Sequence, residues 1–100
     1  MSECITQAEI LQRLKTLKPS LTTRYGVTRL ALFGSYAHEM ATEVSDIDLV
    51  VEMAEPDLFS LVHIKEELEN HFNKPVDLIP YSETMNGYLK KRITMDALYV

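Results

Sequence analysis

Cysteine is nearly absent. Cys4 stands alone among 100 residues, so no disulfide can close within the chain, and a reducing compartment is the expected setting. No apolar run approaches the roughly 18 residues that span a bilayer. The opening stretch MSECITQAEI has no basic region followed by an apolar one. No secretory signal is therefore expected, and the cytoplasm is the expected location. Internal repeats, low-complexity tracts and Gly/Ser linkers are also missing. Positive charge is scarce: 10 Lys and Arg face 15 Asp and Glu, for a net charge of −5. That excludes a broad basic surface for gripping nucleic acid, because phosphate binding needs clustered cations. It leaves room for a small anionic ligand held through a metal.

What is present is ordinary globular composition, 46% apolar and 25% charged. The length predicts one domain over residues 1–100. Thr6 followed by Glu9 is a capping box, and Ile10, Leu11, Leu14 and Leu17 recur at helical spacing behind it. Pro19 should end or kink this helix, with a short helical piece before Gly26, which suits a left-handed cap. The run Arg29–Phe33, bounded by glycines, predicts a strand buried on both faces. A helical turn and loop should follow over residues 35–45. Ile47–Met53 is rich in β-branched residues and predicts a second strand. Pro56-Asp57 opens a helix whose apolar face is predicted as Leu58, Leu61, Val62, Leu68 and Phe72, with Glu66, Glu67 and Asn70 opposite. Lys74–Ile79 predicts a third strand. A last helix is expected from Asn86 to Ala97, with Leu89, Ile93 and Leu98 as its stripe. The expected class is α/β (α+β): a small mixed sheet of about three strands with helices packed mainly on one face.

Three carboxylates stand out. Asp46 and Asp48 flank one apolar residue at the head of the second strand. Strand side chains alternate, so both project from one face. Charges that close repel unless a cation lies between them, and oxygen donors of this kind suit Mg²⁺ with substrate phosphates. Asp77 sits between Val76 and Leu78, where an unpaired charge is costly. If the second and third strands are neighbours, Asp77 joins the pair, and three carboxylates can hold two metals for in-line phosphoryl transfer. Gly34-Ser35 follows the first strand, where glycine permits close backbone approach and a helical start offers free N–H groups to phosphate. Taken singly, Asp77 could instead mark an exposed edge strand, and Gly34-Ser35 a simple capped turn.

Together these residues carry a resemblance. Gly34-Ser35, ten further residues, then Asp46-Ile47-Asp48 is similar to the GSx10DxD signature of nucleotidyltransferases related to DNA polymerase beta. The stretch RYGVTRLALFGSYAHEMATEVSDIDLVVEM resembles the minimal nucleotidyltransferase (MNT) family, and the likeness extends through LKPSLTTRYGV, EPDLFSLVHIKEELE, KPVDLIP and ALYV. The resemblance implies a palm-like nucleotidyltransferase fold and transfer of AMP from ATP to a hydroxyl, with release of pyrophosphate. It implies Asp46 and Asp48 as Mg²⁺ ligands and Asp77 as the third carboxylate. Asp77 would bind the catalytic ion of a two-Mg²⁺ site and help activate the hydroxyl. Gly34 and Ser35 would bind the triphosphate. It further implies an antitoxin paired with a HEPN-domain ribonuclease toxin, silenced by AMP on a tyrosine. One departure is His38-Glu39, where the family usually reads Arg-Gly. Histidine neutralises phosphate only when protonated, but no metal ligand is lost. Neutralisation of the partner by binding alone, and transfer to a small molecule or RNA, are the alternative readings.

The remaining polar and aromatic residues have plainer expected roles. His63 and His71 should lie on the surface of the amphipathic helix. Tyr81, Tyr88 and Tyr99 should pack or sit at an interface. Lys90, Lys91 and Arg92 should face solvent, with phosphates or an acidic partner as possible contacts, and Cys4 should have no role.

Overall fold

The computed structural model describes residues 5–37, 46–81 and 87–100, apart from the side chains of Ser35, Leu89, Arg92 and Thr94. Cys4, His38, Glu39 and Asn86 lie outside the described residues, as do the side chains of Leu89 and Arg92 expected on the last helix.

Helix α1 runs from Gln7 to Tyr25. Thr6 caps it by accepting the Glu9 N–H at 3.1 Å, as the capping box predicts. Pro19 lies inside the helix and does not end it. Proline forfeits one backbone bond, but Leu14 before it and Leu21 after it are both buried. Burial on both sides holds the turn that local propensity would break. Gly26 then closes the helix in the left-handed conformation, φ 73°, donating to the Thr22 carbonyl.

The strands are β1 (Val27–Phe33), β2 (Ile47–Met53), β3 (Val76–Pro80) and β4 (Leu98–Tyr99), in the order β3-β2-β1-β4. β1 pairs antiparallel with β2 and with β4. β2 and β3 are parallel, joined by the crossover helix α2 (Leu58–Phe72). The sheet is thus mixed, as expected, with one strand more than the sequence pattern shows. Leu98 does not extend the last helix α3 (Gly87–Asp96); it pairs with Leu32 as part of β4. A two-residue strand has no periodicity to read, so only its partner reveals it.

Alternation along the central strands divides the core. Leu30, Leu32, Ile47, Leu49 and Val51 pack with Ile10, Leu14, Ile64 and Leu68 on the side of α1 and α2. Ala31 and Val50 face the other way and pack with Ile93 of α3, flanked by Phe33 and Ile79. Among the described residues, the second face is therefore covered by one helix, α3.

The apolar face of α2 is rotated from the predicted one. Leu61, Leu68 and Phe72 do pack inward, with Ile64 at their centre. Leu58 and Val62, expected in that face, are 77% and 52% exposed. The helix begins at Leu58, capped by Asp57, and its first turn meets the core through Leu61, which leaves Leu58 and Val62 beside the packed stripe. Leu68→Ala should therefore cost about 2–5 kcal/mol in urea unfolding, and Leu58→Ala less than about 0.5 kcal/mol. Equal costs would contradict this orientation of α2.

Candidate active site

The chain places its carboxylates through sheet register. Asp48 lies opposite Asp77 in the parallel β2–β3 ladder, with backbones about 4.8 Å apart. In β2, Ile47 and Leu49 point to the α1/α2 core; in β3, Val76 and Leu78 do the same. Asp48 and Asp77 therefore both project from the α3 face. Asp46 precedes the strand and is exposed. Ile47 N–H donates to the Pro75 carbonyl at 3.0 Å, so the ladder is already engaged beside Asp46. The edge strand β3 is steadied by Glu69, whose carboxylate accepts the Val76 N–H at 3.0 Å.

Asp48 is held above the ordinary carboxylate range, first by burial and then by the charges of Asp77 and Asp46. Among the described residues, no three His, Cys, Asp or Glu side chains form a ready-made metal cage. Mg²⁺ does not need one: it takes one or two carboxylates and completes its shell with phosphate oxygens and water. Oxygen-only donors, two of them in register, fit that mode.

The third part is the turn after β1. Phe33 lies opposite Asp48 in the β1–β2 pair, and Gly34–Tyr36 follows as one 3-10 turn. Gly34 has φ 74°, and a Cβ there would lie 2.2 Å from Oδ2 of Asp48. Only glycine gives both the backbone conformation and the space. Ser35 lies in this turn, directly beside that contact. The five residues singled out from the sequence thus belong to adjoining strand ends and one turn.

Sequence reasoning missed Gln7. Its Nε2 donates to the carbonyls of Tyr36 at 2.9 Å and Ala37 at 3.0 Å. The separations are 29 and 30 residues, and a glutamine at a helix start has no local signature. His63 and His71 are exposed, as expected. Lys91 is exposed, whereas Lys90 is half-buried, its Nζ 5.9 Å from the Tyr81 ring centre. An open cleft of about 510 Å³ between Arg24, Gly26, Glu55 and Asp57 lies at the opposite ends of β1 and β2, away from the carboxylates.

A glycine turn thus closes against acidic strand ends on a mixed sheet. The nucleotidyltransferase domain family matches residues 14–100, and the chain belongs to it. A Methanocaldococcus jannaschii protein provisionally named a protein adenylyltransferase is 38% identical over 96 residues, spanning 95% of this chain and 98% of its own. The protein adenylyltransferase MntA of Thermococcus cleftensis is 34% identical over 97 residues, 96% of this chain and 97% of its own. Among solved structures, a provisionally named minimal nucleotidyltransferase superposes with TM-score 0.80 at 26% identity, covering 97% of this chain and 98% of that one. The MNT antitoxin complex of a tri-AMPylated Shewanella oneidensis HEPN toxin gives TM-score 0.58 at 20% identity, over 93% of this chain and 66% of that one. This last likeness is one of fold.

Two predictions follow from the geometry. Gly34→Ala should lower stability by about 1–2 kcal/mol for the left-handed backbone alone, with a further cost from the displaced Asp48 carboxylate. That further cost should vanish in an Asp48→Ala background, leaving a coupling of about 1 kcal/mol in a double-mutant cycle. The second concerns pH. A raised carboxyl pKa means the folded chain holds that proton more tightly than the unfolded one. The resulting stability is fully present below the unfolded value and is lost as pH rises through the folded value. In chelator, Asp48→Asn should raise the melting temperature at pH 7, and the gain should shrink towards pH 4. A gain independent of pH would count against the effect.

Proposed function

We propose that this chain, as a single domain over residues 1–100, transfers AMP from ATP to a hydroxyl of a partner protein. The partner is a HEPN-domain ribonuclease toxin, the acceptor a tyrosine, and the outcome an antitoxin that silences its toxin by modification. The observation that carries the chemistry is the in-register pair Asp48–Asp77 beside a turn that only Gly34 can make. Support for a protein acceptor comes from relatives named protein adenylyltransferase over nearly the whole chain. Support for the partner comes from a HEPN toxin bound to an antitoxin of the same fold.

Asp46 and Asp48 would hold Mg²⁺ and Asp77 would complete a site for a second ion, supplying charge neutralisation along the triphosphate. Gly34 and Ser35 would seat the phosphates at the turn, where the missing Cβ allows close backbone approach. Asp77, the most open of the strand carboxylates, would accept the proton of the attacking hydroxyl. The new bond joins that oxygen to the α-phosphorus; the bond to the bridging oxygen of the β-phosphate breaks, and pyrophosphate leaves. The net charge of −5 is no obstacle, because the acidic groups at the site are those a cation would balance. Among the described residues no helix is long and apolar enough to cross a membrane.

Incubation with labelled ATP, Mg²⁺ and the HEPN protein should label the partner. Asp46→Asn with Asp48→Asn should reduce transfer on the order of 10³-fold, the scale for losing charge stabilisation in phosphoryl transfer. An unlabelled partner, or transfer indifferent to those substitutions, would overturn the proposal. If the doubly substituted protein still neutralised the toxin, binding alone would be the mechanism.

A further inference from the structure

The Gly34–Ala37 turn is rooted in the core by the buried Tyr36 side chain, and its backbone is held from two further sides, of which one belongs to the sequence motif. On the motif side, Asp48 occupies the volume that a Cβ on Gly34 would need. That contact is a stop: it limits how far the turn can approach β2 but does not tether it. The turn's own backbone bond, from Ala37 N–H to the Gly34 carbonyl at 3.1 Å, is of the 3-10 type, whose geometry is poor.

On the other side stands Gln7. Its amide nitrogen carries two hydrogens and donates to two carbonyls, those of Tyr36 and Ala37. This fixes the amide's orientation, since its oxygen could serve neither. The base of the contact is rigid. Gln7 opens α1 directly after the Thr6 cap, and Ile10 and Leu14 behind it have no solvent exposure. A pair of hydrogen bonds thus connects the core helix to the peptide carbonyls of Tyr36 and Ala37, the two residues that follow Ser35. Gln7 is itself half-buried and adds little to the core, so its removal should be felt by the turn more than by the fold.

We propose that Gln7 is a positioning residue for the nucleotide, holding the Gly34–Ala37 turn in the conformation that receives the triphosphate. This inference rests on the reading of the site given under Proposed function. Gln7 would act through the backbone it holds, without touching the nucleotide. Its two bonds also engage the negative ends of two peptide dipoles.

Three variants separate this role from a structural one. Gln7→Glu keeps the size but sets a carboxylate against two carbonyls. Gln7→Ala removes the contact, and Gln7→Lys keeps a donor. ATP affinity is read by calorimetry with Mg²⁺, and KM and kcat by AMP transfer to the partner. Gln7→Glu and Gln7→Ala should raise Kd and KM for ATP about tenfold. Their kcat should stay within about threefold, and their melting temperature should fall by about 4–8 °C, the scale of one net hydrogen bond in a domain of this size. Gln7→Lys should recover most of the affinity. If Gln7→Glu fails to fold, the contrast between Ala and Lys carries the same test. Unchanged KM in the folded variants, or a fall in kcat and melting temperature at constant KM, would overturn the role of Gln7. Wild-type protein that binds no ATP would overturn the reading of the site, and this inference with it. Wild-type binding with indifferent Gln7 variants would overturn the inference alone.

Discussion

The register between β2 and β3 is the constraint on which the site depends. Pairing Asp48 with Asp77 places two carboxylates side by side at the sheet surface. A slip of one residue would turn one of them into the core and break the alternation of every apolar neighbour. The register is therefore guarded by hydrophobic burial: Ile47, Leu49, Val76 and Leu78 all pack on the α1/α2 side. The acidic face cannot be lost without losing the core, so the energy that folds the sheet also holds like charges together. The opposing cost shows in the raised proton affinity of Asp48, set first by burial and then by the charges of Asp77 and Asp46.

This cost is localised by the way the two sheet faces are covered. Two helices and most of the apolar residues lie on one face. Among the described residues, the other carries one helix, α3, over Ala31 and Val50, the face from which Asp48 and Asp77 project. The more heavily packed face anchors α1. Through Gln7, that same helix reaches the turn beside the site. Core packing and site geometry are thus joined by a side chain at the rim of the fold.

Much of this was legible in the chain. The strands could be read because Ile47–Met53 and Lys74–Ile79 have strong β-branched or alternating patterns between proline and glycine boundaries. The three aspartates could be read because a charge in an apolar strand needs a reason. Pro19 was misleading, because a local breaking tendency was outweighed by Leu14 and Leu21 packing on either side. Leu58 and Val62 were misleading because helical spacing locates a stripe but does not say where the partner surface ends. Leu98 and Tyr99 carry too few residues for any period.

By itself, the sequence determined the chemical kinds in play: two carboxylates within strands and a third just before one, a glycine where a turn must be tight, and the family that uses them. These are local or short-range facts, since residue type, spacing and alternation act over a few residues. Only the tertiary structure decided that Asp48 faces Asp77, that its carboxylate fills the space beside Gly34, and that Gln7 holds the turn across 29 and 30 residues. Those contacts are set by strand pairing and helix packing, which no local pattern encodes. Their geometry exists only once the core has brought distant segments together.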